Sequence, residues 1–211
     1  MFPLIKKIHA FSIVSRRGLT LTELLVASIL IGIVMASVAS FTVAIKQIQE
    51  TSNKTSLLTM QTTAAMNSIS RTASLAIGFK DDMGIYTAVC AGGKYISFRL
   101  DGGTPSSPDV YTDDIWYIYS WGCQNPTAFD LLYCAQTVAQ GGKVPNFGAG
   151  PCATAYSLTN KIASADFTIN SSEFYVDLTL EARDNPAAPS DPLHNPLYTL
   201  ETKVSPSAHS W

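Results

Sequence analysis

Hydrophobic and polar residues change rhythm twice along this chain. From Leu19 to Ile45 almost every position is apolar, LTLTELLVASILIGIVMASVASFTVAI, with a single carboxylate, Glu23, near the start. Such a run predicts a helix of about 22 to 27 residues, which at 1.5 Å each crosses a bilayer core of roughly 30 Å. After Ile45 the pattern turns amphipathic. Ile48, Leu58, Ala65, Ile69, Ala73 and Ala76 recur at steps near multiples of 3.5, while Lys46, Gln47, Gln49, Asn53, Lys54 and Gln61 face away. No proline interrupts residues 19–80. One helix is therefore predicted from Leu19 to Ile77, roughly 85–90 Å long, with Gly78 as its stop. The Thr-rich stretch 51–63 has weak helix propensity, so its helicity must rest on packing.

Beyond Gly78 the period shortens to two. Lys94–Leu100 places Ile96, Phe98 and Leu100 on one face. Ile115–Trp121 places Ile115, Tyr117, Tyr119 and Trp121 on one side, Trp116 and Ile118 on the other. Glu173–Glu181 points Phe174, Val176, Leu178 and Leu180 inward, and Leu197–Val204 aligns Tyr198, Leu200 and Val204. Gly, Pro, Ser and Asp clusters at 101–109, 141–151 and 184–196 read as loops. These patterns predict an α+β chain in which one face of an antiparallel sheet packs on the helix.

The residues just before the apolar run sharpen the picture. Arg16, Arg17 and Gly18 precede it, and Lys6 and Lys7 lie further upstream. A secretory signal peptide has a shorter apolar region and a small-residue cleavage site. A plain signal anchor accounts for the four basic residues through the positive-inside rule, but for neither Gly18 nor Glu23. An acid inside an apolar membrane segment is costly and calls for a partner.

Arg16-Arg17-Gly18 followed by Leu19-Thr20-Leu21-Thr22-Glu23-Leu24 resembles the class III leader of type IV prepilins and type II secretion pseudopilins. The resemblance implies cleavage after Gly18 by a prepilin peptidase, methylation of the new amine on Leu19, and pairing of Glu23 with that amine on a neighbouring subunit. It implies four segments: a leader, 1–18; a transmembrane, filament-core half of the helix, 19–45; an amphipathic half, 46–78; and a β-rich head, 79–211. The pairing agrees with elementary electrostatics, because an α-amino group is largely cationic at neutral pH and a carboxylate in an apolar bundle needs a counter-charge. Ala165-Asp166-Phe167, the alternating run 174–180 and Tyr198–Val204 look like the ending of PilW-like minor pilins and J-type pseudopilins. Two departures stand out. Ser207 follows Pro206 where that ending often has an arginine, and Ser40 stands where major pilins typically carry a proline, although Gly32 matches their glycine. The second departure favours a minor subunit.

Charge and cysteine content narrow the function. Removing the four leader cations lowers Lys+Arg from 14 to 10 against 16 Asp and Glu, a net side-chain charge of −6. So acidic a product is a poor electrostatic partner for nucleic acid. Cys90, Cys123, Cys134 and Cys152 all follow the apolar run, and their even number points to disulfides in an oxidising compartment rather than to zinc, whose tight ligand spacing is absent. Four cysteines allow three connectivities. The expected pairing is a local Cys123–Cys134 clip with a longer Cys90–Cys152 bridge.

No catalytic constellation emerges. His9 lies in the leader, His194 in a Pro-rich loop and His209 near the end, so no triad is assembled. Asp81, Asp82, Asp101, Asp109, Asp113 and Asp114 could offer oxygens to calcium, yet no recognisable ligand loop contains them, and the expectation is no cofactor and solvated turn acids. Trp116, Tyr117, Tyr119 and Trp121 could form an adhesive platform, but aromatics at strand spacing are first of all core and cross-strand pairs. The expectation is a non-enzymatic type IV pilus subunit, a minor pilin that primes or caps assembly. Its head is periplasmic before assembly, and its partners are other pilins, the peptidase and the inner-membrane platform. The alternatives are a pseudopilin of a type II secretion tip complex and, in another class, a membrane-anchored periplasmic binding protein or enzyme.

Overall fold

The structure, a computed structural model, describes residues 18–78, 84–90, 92–102, 114–123, 129–137, 154–192, 194–206 and 208–209. The chain divides into two units, Met1–Ile48 and Gln49–Trp211. A 55-residue helix, α1 (Leu21–Leu75), starts in the first and ends in the second.

In the first unit every described residue is exposed. The second unit has a core. There α1 buries Leu58, Thr62, Ala65, Met66, Ile69 and Ala73, one face at helical spacing, and turns Asn53, Lys54, Leu57 and Met60 outward. Ile48, expected on the buried face, is exposed and belongs to the apolar front of the helix. The Thr-rich stretch is helical: the hydroxyls of Thr55, Thr59 and Thr62 donate to carbonyls four residues back at 2.8–2.9 Å, while Leu58 and Thr62 are packed.

The helix ends at Leu75, two residues short of the expected last residue, Ile77. Ala76 N–H closes the last turn on the Ala73 carbonyl at 3.2 Å, and Ile77–Gly78 forms a short strand, β1, parallel to β10 (Ala208–His209). Gly78 is thus part of a strand rather than a helix cap.

Two antiparallel sheets pack on the rear of α1 where one was expected. The first is a five-stranded meander in chain order: β2 (Ile85–Cys90), β3 (Gly93–Leu100), β4 (Ile115–Trp121), β5 (Leu131–Thr137) and β6 (Tyr156–Thr159). The second has three strands, β7 (Ile162–Asn170), β8 (Tyr175–Ala182) and β9 (Tyr198–Val204). Alternation places Ile96, Phe98 and Tyr119 from the first sheet, and Val176, Leu178 and Leu180 from the second, in one cluster with the helix face. Tyr119 fastens that contact, bonding Thr72 Oγ1 at 2.7 Å and Ser68 Oγ at 3.1 Å. Trp121 Nε1 donates to the Ile162 carbonyl at 3.0 Å and ties the two sheets together.

The other face of the meander carries Tyr95, Trp116, Ile118, Cys123 and Cys134. Here the disulfide expectation is corrected: Cys90 pairs with Cys123, Cα–Cα 5.2 Å, and Cys134 belongs to a further disulfide. The reason is topological. Cys90 ends β2 and Cys123 lies just past β4, and these strand ends meet across β3, whereas Cys134 lies mid-strand opposite Ile118. Gly93 allows the crossing, since a Cβ there would stand 1.8 Å from the Trp121 carbonyl. Cys152 lies outside the described residues.

The loop expected at 184–196 is built rather than loose. Buried Asn195 donates from Nδ2 to the Asn185 and Pro189 carbonyls at 2.9 and 3.0 Å, and its Oδ1 accepts from Asn185 N–H at 2.9 Å. The expected loop at 141–151 and residues 103–109 lie outside the described residues.

Candidate functional site: the head of the apolar helix

The site is the first turn of α1 and the bare apolar surface behind it. Gly18, Leu19 and Thr20 precede the helix without regular structure, and all are exposed. Among the described residues nothing lies within 4 Å of the place a Cβ would take at Gly18, so that side of the Gly18–Leu19 bond is open. Arg16 and Arg17 lie outside the described residues.

Thr20 caps the helix. Its carbonyl accepts the first intrahelical bond, from Leu24 N–H at 3.2 Å, and its Oγ1 accepts from Glu23 N–H at 3.3 Å. Glu23 answers through one oxygen: Oε2 accepts from Thr20 N–H at 2.9 Å and from Thr20 Oγ1 at 3.0 Å. This reciprocal pair is a capping box, Thr-x-x-Glu, which fills orphan donors at the helix start. Glu23 also sits at the positive end of the helix dipole. Glu23 is therefore not the isolated charge that the hydropathy pattern suggested. The signal was legible, since Thr20-Leu21-Thr22-Glu23 followed by an apolar run is the capping-box pattern itself. Oε1 accepts no hydrogen bond among the described residues.

Behind the cap, 18 residues of high hydropathy stand wholly uncovered. The polar side chains among them satisfy themselves. Ser28 donates to the Leu25 carbonyl, Ser37 to Ile33, Ser40 to Ala36 and Thr42 to Val38, all at 2.8–2.9 Å. The helix passes through Ser40 unbroken. Ser28, Gly32, Ala36, Ser40 and Ala44 recur every fourth residue, the small-residue spacing at which helix backbones approach closely in lipid.

Residues 13–39 match the model of the prokaryotic N-terminal methylation motif. The chain carries the leader motif of the type IV pilin and pseudopilin family. No curated protein and no solved structure matches the chain. The matched stretch includes Gly18, Leu19 and Glu23 and ends within the apolar half of α1.

The head offers no competing site among the described residues. No group of three His, Cys, Asp or Glu converges on a possible metal position there. Of the acids considered for calcium, Asp81, Asp82, Asp109 and Asp113 lie outside the described residues, and Asp114 is fully buried 3.5 Å from Arg99 Nε. His194 is exposed and paired with Asp191 at 2.9 Å. The aromatic run is core: Trp116 and Tyr119 are buried on opposite faces of β4, and Tyr119 and Tyr117 both pack on Tyr133.

Proposed function

We propose that this chain is a structural subunit of a type IV pilus, a minor pilin that primes or caps the filament, and not an enzyme. It is held in the inner membrane by residues 19–45 with its head in the periplasm, and it passes into the fibre after the peptidase removes residues 1–18 and Leu19 is methylated. The observation that supports this most is the join of a capped, single-carboxylate helix start to an uncovered apolar surface, inside a matched methylation motif. Bare leucine, isoleucine and valine side chains are stable only in lipid or against other helices. A neighbour's terminal amine would find Oε1 of Glu23 open and Oε2 already oriented by Thr20. The unbroken passage at Ser40 and the likeness of the last strands to minor pilins support the minor role. No cofactor is part of this reading.

Mass spectrometry of the mature N-terminus is the first test, and the expected species starts at methylated Leu19. An intact leader in cells with active peptidase overturns the reading. The second test is Glu23→Ala, which leaves processing and membrane insertion intact and weakens incorporation into sheared fibres, with copy number read by proteomics against the main pilin. Undiminished incorporation removes the pairing.

A further inference from the structure

The two faces of the five-stranded meander are held by different means. Among the described residues, the helix-bearing face shares a cluster of 18 buried residues drawn from α1 and both sheets, and no cysteine belongs to it. Among the same residues, the opposite face has a cluster of five buried ones, two of them Cys123 and Cys134, with Cys90 packed against it. Ser97 and Arg99, which alternate with Tyr95 on that side of β3, are buried as well. A layer in which buried aromatics sit among buried polar side chains and half-cystines is one where covalent staples add to apolar burial. The clearest case is β2. Ile85 anchors its start in the large cluster, while its far end packs on the small one and lines a cleft with Asp166, Phe167 and Thr168 of β7, Val89 is exposed, and its one ladder among the described strands is with β3. Beyond that ladder and its side-chain contacts, the end of β2 is tied covalently to the end of β4 by the Cys90–Cys123 bridge.

We propose that the head is built in two layers of unequal redox dependence: the helix-docked layer forms and persists without disulfides, while the cysteine-bearing layer closes only on oxidation and opens again on reduction. In each reductive step a dithiolate attacks one protein sulfur, the first cysteine leaves as a thiol, and the reductant's second thiolate displaces the other. Two protein thiols and one cyclic disulfide result, with two electrons passed to the protein. In the forward direction an external disulfide donor takes up the same two electrons. Membrane insertion and docking of the sheets on α1 would then need no such donor, and closure of the outer face would.

The test is hydrogen exchange with mass spectrometry on the full-length chain in detergent micelles, oxidised and after dithiothreitol, with alkylation confirming four free thiols. The expected result is exchange at least about tenfold faster in peptides covering 86–90, with peptides covering 58–75 and 175–182 unchanged. The Cys90→Ser/Cys123→Ser chain, left oxidised, should reproduce the loosening of 86–90. Loss of protection in 58–75 in step with 86–90 overturns the proposal, because the head is then one cooperative unit. Unchanged exchange at 86–90 in the fully alkylated protein overturns it equally.

Discussion

The front and rear of α1 draw on the same kinds of side chain and meet opposite surroundings. Leu24, Ile29, Leu30 and Val34 in the front are each more than half exposed, whereas Leu58, Met66 and Ile69 in the rear are 3% exposed or less. The rear carries its apolar residues on one face and finds its own sheets to cover them. The front is apolar all round, so no single neighbour from the same chain could cover it, and its burial has to come from lipid or from several other helices. Two carboxylates repeat the contrast. Glu23 stands exposed and is satisfied by its own turn, while Asp114 is sealed in the head beside Arg99. The exposed acid, proposed above to meet a partner, is held locally and left open. A group serving the fold is paired and closed off.

Asp114→Ala should have the largest effect and act on the head alone. It would remove the buried carboxylate 3.5 Å from Arg99 Nε, and breaking a buried pair from one side costs about 3–5 kcal/mol. Denaturant unfolding of the head should shift by that amount, while membrane fractionation of the protein should not change. A change below about 1 kcal/mol would mean that water reaches the pair.

The same substitution placed in each half of the helix sharpens the comparison. Ile69→Ala removes a side chain with no exposed surface and should cost about 2–5 kcal/mol of head stability, read by thermal or denaturant unfolding. Ile29→Ala, at a site 54% exposed, should leave head stability within about 0.5 kcal/mol. Equal losses from the two would contradict the division of the helix.

Much of this division was visible in the sequence. Residues 94–100 alternate and 115–121 carry aromatics on both faces, and their side chains point where a period of two places them. Period-two patterns report a sheet face directly because each side chain's side is fixed by parity. The missed elements lack that signal. Residues 131–137, LLYCAQT, mix small, polar and apolar side chains along a strand whose burial fades toward exposed Ala135 and Thr137, and residues 156–159 are too short to show any period. The split into two sheets falls in the short step from β6 to β7, where the chain leaves one ladder for another, and no local pattern says which strands lie side by side. The disulfide pairing went astray for the same reason, since nearness along the chain stood in for nearness across β3. At the helix start the hydropathy reading found Glu23 and overlooked Thr20, because a capping box is a hydrogen-bond pattern that a hydrophobicity profile does not register.

Tyr119→Phe should have an intermediate effect. It removes the bonds to Thr72 and Ser68 but keeps the ring, and Thr72 still donates to the Ser68 carbonyl at 3.0 Å. The cost should be about 0.5–1.5 kcal/mol. The variant also carries a pH signature. Burial pushes the Tyr119 hydroxyl up, against the pull of its bonds to Ser68 and Thr72, and burial raises Tyr95 and Tyr133 as well. With the folded value above the unfolded one near 10, the contribution to stability is complete below about pH 10 and lost as pH rises beyond it. Unfolding titrations between neutral and strongly alkaline pH should show this decline, shallower in Tyr119→Phe. An identical slope would remove Tyr119 from the account.

The smallest effect should come from Asp184→Asn, at the join between the rear of α1 and the loop after β8. Asp184 Oδ1 accepts from Lys161 Nζ at 3.1 Å, and Lys54 of the helix lies 3.7 Å from Oδ2. The Lys161 hydrogen bond and the charges of Lys161 and Lys54 hold this carboxyl below its ordinary range. A lowered folded value means that the gain is present above the unfolded pKa of about 3.9 and fades as pH falls through and below it. A third of the side chain is open to solvent, which screens the pair, so the loss at neutral pH should be only about 0.2–0.5 kcal/mol. Asn keeps an oxygen for Lys161, and the Asn195 bonds hold the loop independently of charge. The difference between variant and parent should vanish in about 1 M salt and again below pH 3. A difference that persists in high salt would show the contact to be one of shape rather than charge, and would make this edge of the head more rigidly dependent on the helix than its exposed ion pairs imply.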